Sequence, residues 1–294
     1  MIGEEILKKI RRLEILSRKE ARDLFAGDYH SAFKGRGMEF SQVREYQAGD
    51  DVRLIDWNVS SRLGKLFVKQ YVEERELTVI LAIDLSASLF FFSQSKSKKE
   101  IAAELAALIA FTALLNNDKI GLLTFTDRCE RFIPPRKGKT HLLRILRDIL
   151  DFAPSGQRTS LADALAYLHR ALRKKAVVFL ISDFLDERDF VTPLKIAARK
   201  HDLIAIDVSD RRERSLPERG MFALRDVETG EPFFLDCGAA ESRRLFNEIV
   251  SRRDAARREI FRRYGVDLIT IRGEEDYERP LIDFFLRRRK KVIR

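Results

Sequence analysis

Residues 78–88 read T-V-I-L-A-I-D-L-S-A-S, and the rest of the chain is arranged about them. Six of the first eight residues are apolar, and Thr78, Val79, Ile80 and Ile83 are β-branched. That composition favours a strand buried on both faces. The run ends on Asp84, Ser86 and Ser88, three oxygen side chains at alternating positions. If a strand stops there and a loop begins, all three turn toward one point above the sheet edge. One carboxylate and two hydroxyls form a hard-oxygen set, suited to Mg²⁺ or Mn²⁺ and poorly suited to zinc. The plainer reading is a strand followed by a serine-rich turn, and D-x-S-x-S alone does not decide between them.

Two more oxygen donors follow in order. Thr159 comes after Gly156, Gln157 and Arg158, and Asp183 ends the apolar run 176–182. The five positions together resemble the metal-ion-dependent adhesion site of von Willebrand factor A domains. That resemblance implies Ser86, Ser88 and Thr159 as ligands touching the metal, with Asp84 and Asp183 supporting it through water. Ser160 and Asp163 also have the spacing of a capping box. The two readings are compatible, since a loop residue just ahead of a cap is free to reach a metal.

The chain has 294 residues, 45% hydrophobic and 35% charged, with a net charge of +10. These proportions describe a soluble globular chain of one large or two small domains. No apolar run approaches the roughly 20 residues that span a bilayer, and the acidic start at residues 1–5 lacks the layout of a signal peptide. Cys129 and Cys237 lie far apart and form no disulfide framework or CxxC motif. A cytoplasmic location is the simplest expectation. The positive charge allows a polyanionic partner without requiring one.

Residues 4–24 predict an amphipathic helix with Ile6, Ile10, Leu13 and Leu16 on one stripe. Gly35 and Gly37 then suggest left-handed backbone or a close approach. Between residues 43 and 57 charge and aromatics are dense: Arg44, Tyr46, Asp50, Arg53, Asp56 and the single tryptophan, Trp57. Gly49-Asp50-Asp51 is a turn signal, and residues 66–72 alternate as a half-buried strand does. Either these six residues pin a small β-rich subdomain through Arg–carboxylate pairs, or they form a partner-docking surface.

The segment V-R-E-Y-Q-A-G-D-D-V-R-L-I-D-W-N-V-S-S-R at 43–62, then L-F-V-K-Q-Y-V-E-E-R at 66–75, then the strand ending D-x-S-x-S, resembles the bacterial domain of unknown function 58 family. Residues 216–231 fit the same pattern. The resemblance implies an N-terminal β-rich segment, residues 1–76, joined to a von Willebrand A-like domain, residues 77–294. The latter would carry an inserted hairpin at about 220–237 and basic C-terminal helices. Such proteins are commonly encoded beside MoxR-type AAA+ ATPases. The implied partner is therefore that ATPase or its client, offering an acidic side chain to the metal.

Downstream of the opening strand, periodicity predicts a helix at 98–115, a strand at 119–125 with a hairpin mate at 129–133, and helices at 140–150 and 160–172. A strand at 176–183, a helix at 188–200, a strand at 202–208, a helix at 240–264, a strand at 266–271 and a helix at 277–289 complete the series. Alternating strands and helices mean an α/β fold with a doubly wound, mostly parallel sheet, whose ligands gather at the carboxyl ends of strands. Asp84 and Asp183 each stand at such an end. Three phenylalanines at 90–92 follow the proposed metal loop directly, and a core plug is the plainer reading of them.

Other chemistries find less footing. Gly138-Lys139-Thr140 is no P-loop, since Ile133 stands where the first glycine belongs and Pro134-Pro135 fill the turn. His30, His141, His169 and His201 show no zinc spacing, and there is no G-x-S-x-G elbow. A metal-dependent hydrolase would need a general base, and Asp84 and Asp183 are already committed to the metal. Arginine pairs at 243/244, 252/253, 257/258 and 262/263, with the basic run 287–291, admit a polyanion binder. Interleaved acids weaken that field, and a solvated helix face explains the arginines as well. The expectation is a non-enzymatic interaction module that uses Mg²⁺ or Mn²⁺.

Overall fold

The computed structural model describes residues 8, 38–73, 76–93, 96–186, 188–225, 231–273 and 278–292. The helix predicted at 4–24 and the glycines at 35 and 37 lie outside them, save for Lys8. The described chain begins with β1 (Met38–Glu45) and β2 (Phe67–Glu73), an antiparallel pair, with the short helix α1 (Trp57–Leu63) between them. Asp56 caps α1 by accepting from the backbone of Asn58 and Val59, and Gly64 ends it in left-handed conformation at φ 68°.

The main sheet has six strands. They are β3 (Thr78–Asp84), β4 (Lys119–Phe125), β5 (Cys129–Arg136), β6 (Val177–Ser182), β7 (Asp202–Ser209) and β10 (Asp267–Arg272), in the order β10-β7-β6-β3-β4-β5. All neighbours are parallel except β4 and β5, which form the antiparallel edge. Counted within this sheet alone, the order from the β5 edge is 3-2-1-4-5-6. The winding reverses between β3 and β6, and ligands gather outside the carboxyl ends of strands at such a switch point. Asp84 ends β3, and Asp183 immediately follows β6.

Alternate residues of β3 supply two cores, as period-2 geometry demands. Val79, Leu81 and Ile83 face α2 (Lys98–Leu115), α3 (Lys139–Asp151) and α7 (Glu278–Val292). Ile80 and Ala82 face α4 (Leu161–Ala171), α5 (Val191–Lys200) and Phe261 of α6 (Ala240–Arg263). The remaining strands, β8 (Met221–Arg225) and β9 (Pro232–Asp236), pair as a separate antiparallel hairpin.

Two helices bury more than a narrow stripe. In α2, thirteen of eighteen residues are buried, so the helix is enclosed nearly all round, and its last residue, Leu115, is 45% exposed. In α7, Leu281, Phe284 and Phe285 are buried and Leu286 is exposed. Ser160 caps α4 through Asp163, yet the second leg of a capping box is absent. The Ser160 N–H instead donates to the Thr126 carbonyl at 2.8 Å. Among the described residues no helix is long and apolar enough to cross a membrane.

Candidate functional site

The site is built on three loops at the switch point. Asp84 Oδ1 accepts from the Ser86 N–H at 2.9 Å, which folds the D-x-S-x-S turn back on its own carboxylate. The Ser86 and Ser88 hydroxyls lie 3.2 Å apart, and both residues are buried. This is close to the spacing of adjacent oxygen ligands around a small octahedral ion, about 3 Å for metal–oxygen distances of 2.0–2.1 Å. Asp84 Oδ2 accepts from the Ser182 hydroxyl at 2.6 Å, and Ser182 Oγ accepts in turn from the Phe184 N–H at 3.0 Å. Phe184 adopts a positive φ of 54°, a conformation that costs energy for a side chain of this size and gathers at functional sites.

Thr159 arrives on the loop before α4, and that loop is bolted down on every side. The Ala87 N–H donates to the Gln157 carbonyl at 2.8 Å, joining it to the serine turn. Arg188 donates to the Thr159 carbonyl, and Asp186 accepts from the Leu161 N–H at 2.8 Å, joining it to the loop after β6. Glu130 accepts from the Gly156 N–H at 2.8 Å and from the Thr126 hydroxyl at 2.7 Å. A Cβ at Gly156 would stand 2.3 Å from Thr126 Oγ1, so only glycine permits this approach. Thr159 is 3% exposed, and among the described residues its hydroxyl has no hydrogen-bond partner. A buried hydroxyl without a partner costs free energy, and a cation ligated by it would remove that cost.

The two carboxylates have unlike neighbours. Asp84 is fully buried, and burial together with the charge of Asp183 pushes its pKa up to about 7, against the hydrogen bonds from Ser182 and Ser86. Asp183 Oδ1 accepts from the Leu185 N–H at 3.2 Å, and its Oδ2 accepts from Lys98 Nζ at 2.7 Å. Lys98 also donates to Glu213 Oε1 at 2.5 Å. Burial works against the lysine's charge, but Asp183 and Glu213 outweigh it and its pKa is raised. Behind this cluster, Arg257 donates to the Asp183 carbonyl at 3.0 Å, to Asp207 at 2.6 Å and to Asp254 at 2.9 Å.

All five residues named from the sequence therefore lie on the three loops that meet here. Sequence reasoning missed Ser182, Lys98, Glu213 and Arg257. Ser182 stands beside the expected Asp183 and was the one within reach of a local signal. Arg257 was read as part of a solvated face, yet it is 7% exposed and triply bonded. Four of the other α6 arginines are also engaged: Arg243 on backbone carbonyls, Arg244 and Arg252 on Glu248, and Arg262 on Glu259. Each oxygen of Asp84 and of Asp183 carries a donor. Among the described residues no group of three His, Cys, Asp or Glu is placed to hold a metal; a cation here would depend on the hydroxyls.

The second predicted set lies on the β1–β2 subdomain. Arg44 forms a two-pronged pair with Asp50 at 2.7 and 2.6 Å, and Asp50 also accepts from the Gln47 N–H. Asp56 is the α1 cap and Tyr46 is half-buried, whereas Arg53 and Trp57 are exposed, Trp57 by 67%. The set divides accordingly: Arg44, Asp50 and Asp56 are bonded within the subdomain, and Trp57 is exposed to solvent, as are Val52, Leu54 and Leu63. The phenylalanine run also departs from expectation. Leu89 is the plug, fully buried, while Phe90 and Phe92 are 43% and 59% exposed.

An open α/β sheet wound 3-2-1-4-5-6, with an antiparallel edge and a hydroxyl-and-carboxylate cluster at its switch point, is a doubly wound, mostly parallel domain of the von Willebrand A-like or Rossmann-like class. Residues 42–256 match the family described as Protein of unknown function DUF58, and the chain belongs to that family. An uncharacterized protein of Mycobacterium tuberculosis is 32% identical over 290 residues, 97% of this chain and 90% of the relative, and one of Mycobacterium bovis matches equally. Among solved structures, the conserved hypothetical protein BatB from Bacteroides thetaiotaomicron is similar at 17% identity and a TM-score of 0.48. The match covers 73% of this chain and 99% of that one. A von Willebrand factor type A structure from Catenulispora acidiphila is similar at 12% identity and a TM-score of 0.40, covering 77% and 44%. At these TM-scores the likeness adds nothing to the strand order itself.

Proposed function

We propose that this chain is a non-enzymatic interaction module that binds its partner through a divalent cation, Mg²⁺ or Mn²⁺, at Ser86, Ser88 and Thr159. Asp84 and Asp183 support the ion from behind. The observation that carries the reading is the Thr159 hydroxyl, buried and without a partner among the described residues, on a loop tied to the turn that holds the paired serine hydroxyls. Neutral hydroxyls in direct contact would leave an ion electron-poor, so it would favour an acidic side chain from a partner. The MoxR-type AAA+ ATPase partner, in assembly or maturation of other proteins, comes from the family resemblance of residues 43–75.

A ligand that binds only the folded state stabilises it by about 2.7 kcal/mol at a hundredfold excess over Kd. Mg²⁺ or Mn²⁺ should therefore raise the unfolding temperature, and Ca²⁺ should raise it less. Thr159→Val replaces the hydroxyl by a methyl group of similar size and should abolish the shift. The metal-free protein should not lose stability, because an unpaired buried hydroxyl contributes a cost of about 1–3 kcal/mol. A shift retained in Thr159→Val, or absent from wild type at millimolar metal, would sink the cation reading. Co-purification with the ATPase in Mg²⁺ and ATP tests the partner separately.

A further inference from the structure

One buried cation is left unexplained by that reading. Lys98 is the first residue of α2, its side chain is 1% exposed, and it bridges Asp183 and Glu213. A positive charge at a helix N-terminus is opposed by the helix dipole. The cap does not need it either, since Ser97 and Glu100 already form a complete capping box. The ammonium is held here by its two carboxylates, and one of them belongs to the candidate cation site.

We propose that Lys98 is a tethered cation occupying the Asp183 arm of the site, so that a divalent ion gains that arm only as the ammonium shifts to Glu213. This rests on the cation-site reading above. Asp183 Oδ2 already carries Nζ at 2.7 Å and Oδ1 carries the Leu185 N–H, so an ion would meet an engaged carboxylate. Glu213 is built to receive the charge. It lies on the turn Arg211–Glu213, where its Oε2 accepts from the Asp210 N–H at 2.9 Å. Asp210 in turn accepts from the Ser93 backbone and hydroxyl at 2.9 and 2.5 Å. The turn that takes the lysine is thereby joined to the loop bearing Phe90 and Phe92. Lys98 makes the site charge-compensated without metal and weak for metal, so its loading depends on the ion concentration and on the partner's carboxylate.

The test is Mn²⁺ binding to the full chain, followed by the electron paramagnetic resonance signal of the free ion. Lys98→Met should bind at least about tenfold more tightly than wild type. The double variant Lys98→Met with Glu213→Gln restores the formal charge of the wild type while leaving Asp183 Oδ2 free, and it too should bind more tightly. It also carries the comparison if Lys98→Met alone does not fold. Adding Thr159→Val to either variant should cancel the gain. Unchanged or weaker binding by Lys98→Met would overturn the proposal, because the lysine would then be positioning Asp183 for the ion. A double variant no tighter than wild type would overturn it as well, since charge alone would explain the effect. If wild type binds and the variants match it, only the role of Lys98 falls. If none of the proteins binds Mn²⁺, the cation site falls with it.

Discussion

At the scale of single residues, burial of groups that water would otherwise satisfy sets the energetics. His201 is 3% exposed, and among the described residues neither ring nitrogen has a hydrogen-bond partner. Burial, then Lys200 and His169, pulls its pKa down to about 4. The unfolded ring titrates near 6.5, so between those values the unfolded chain binds the proton more readily. The neutral ring's contribution is therefore present above pH 6.5 and is lost as pH falls toward 4, by about 3 kcal/mol in all. Asp207 acts in the opposite sense, because burial outweighs Arg257 and holds its pKa at about 6. The wild-type curve alone mixes the two. Urea denaturation should show wild type losing about 3 kcal/mol more than His201→Phe between pH 7 and pH 4. Parallel curves would show that the ring is already charged at neutral pH or freely hydrated. Ser182→Ala strips a donor from Asp84 and an acceptor from Phe184, and should cost about 1–3 kcal/mol at neutral pH.

Among the elements, α6 is the one whose role departs furthest from its composition. Arginine pairs interleaved with acids read as a solvated face, yet Arg257 points inward and closes a network of Asp183, Asp207 and Asp254. Arg214 reaches the same Asp254 from the turn after β7. Breaking a buried pair from one side leaves carboxylates unpaired, which costs about 3–5 kcal/mol. Arg257→Met should therefore destabilise the chain by that order, whereas Arg252→Met, at an exposed i,i+4 pair, should stay within about 0.5 kcal/mol. Chemical denaturation of both variants checks the contrast. Equal effects would mean that the arginine is hydrated in solution.

For the whole molecule, the exposed apolar side chains fall in separate places. Trp57 stands on α1 with Val52 and Leu54 nearby in sequence; Phe90 and Phe92 follow the D-x-S-x-S turn; Met221, Phe233 and Phe234 lie on the hairpin. Phe90 and Phe92 help line a cavity of ≈ 330 Å³ with Ser97, Lys99, Glu100 and Leu150. Substitutions at exposed positions change stability by about 0.5 kcal/mol or less. Trp57→Ala and Phe92→Ser should therefore leave the urea midpoint nearly unchanged. In a pull-down with the proposed ATPase, loss of association in Phe92→Ser but not Trp57→Ala would place docking beside the D-x-S-x-S turn. The converse would place it on the β1–β2 subdomain. If neither variant weakens association, neither surface is the docking face.

The sequence by itself determined the sheet, because a buried parallel strand must be apolar on both faces and its end must turn polar. Residues 78–84 and 177–182 show this without any tertiary knowledge, and the spacing of strands and helices yields the winding. It also determined which oxygen side chains stand at the switch point, since Asp84, Ser86, Ser88 and Asp183 follow their strands within a few residues. Only the tertiary structure decided what those groups touch. Lys98 lies 85 residues from Asp183 and 115 from Glu213, and Arg257 lies 74 from the carbonyl it holds. No local period marks a buried cation among so many solvated ones. Exposure was equally a matter of packing. Leu89 fills the space beneath the loop, and with that space taken, Phe90 and Phe92 are left facing water.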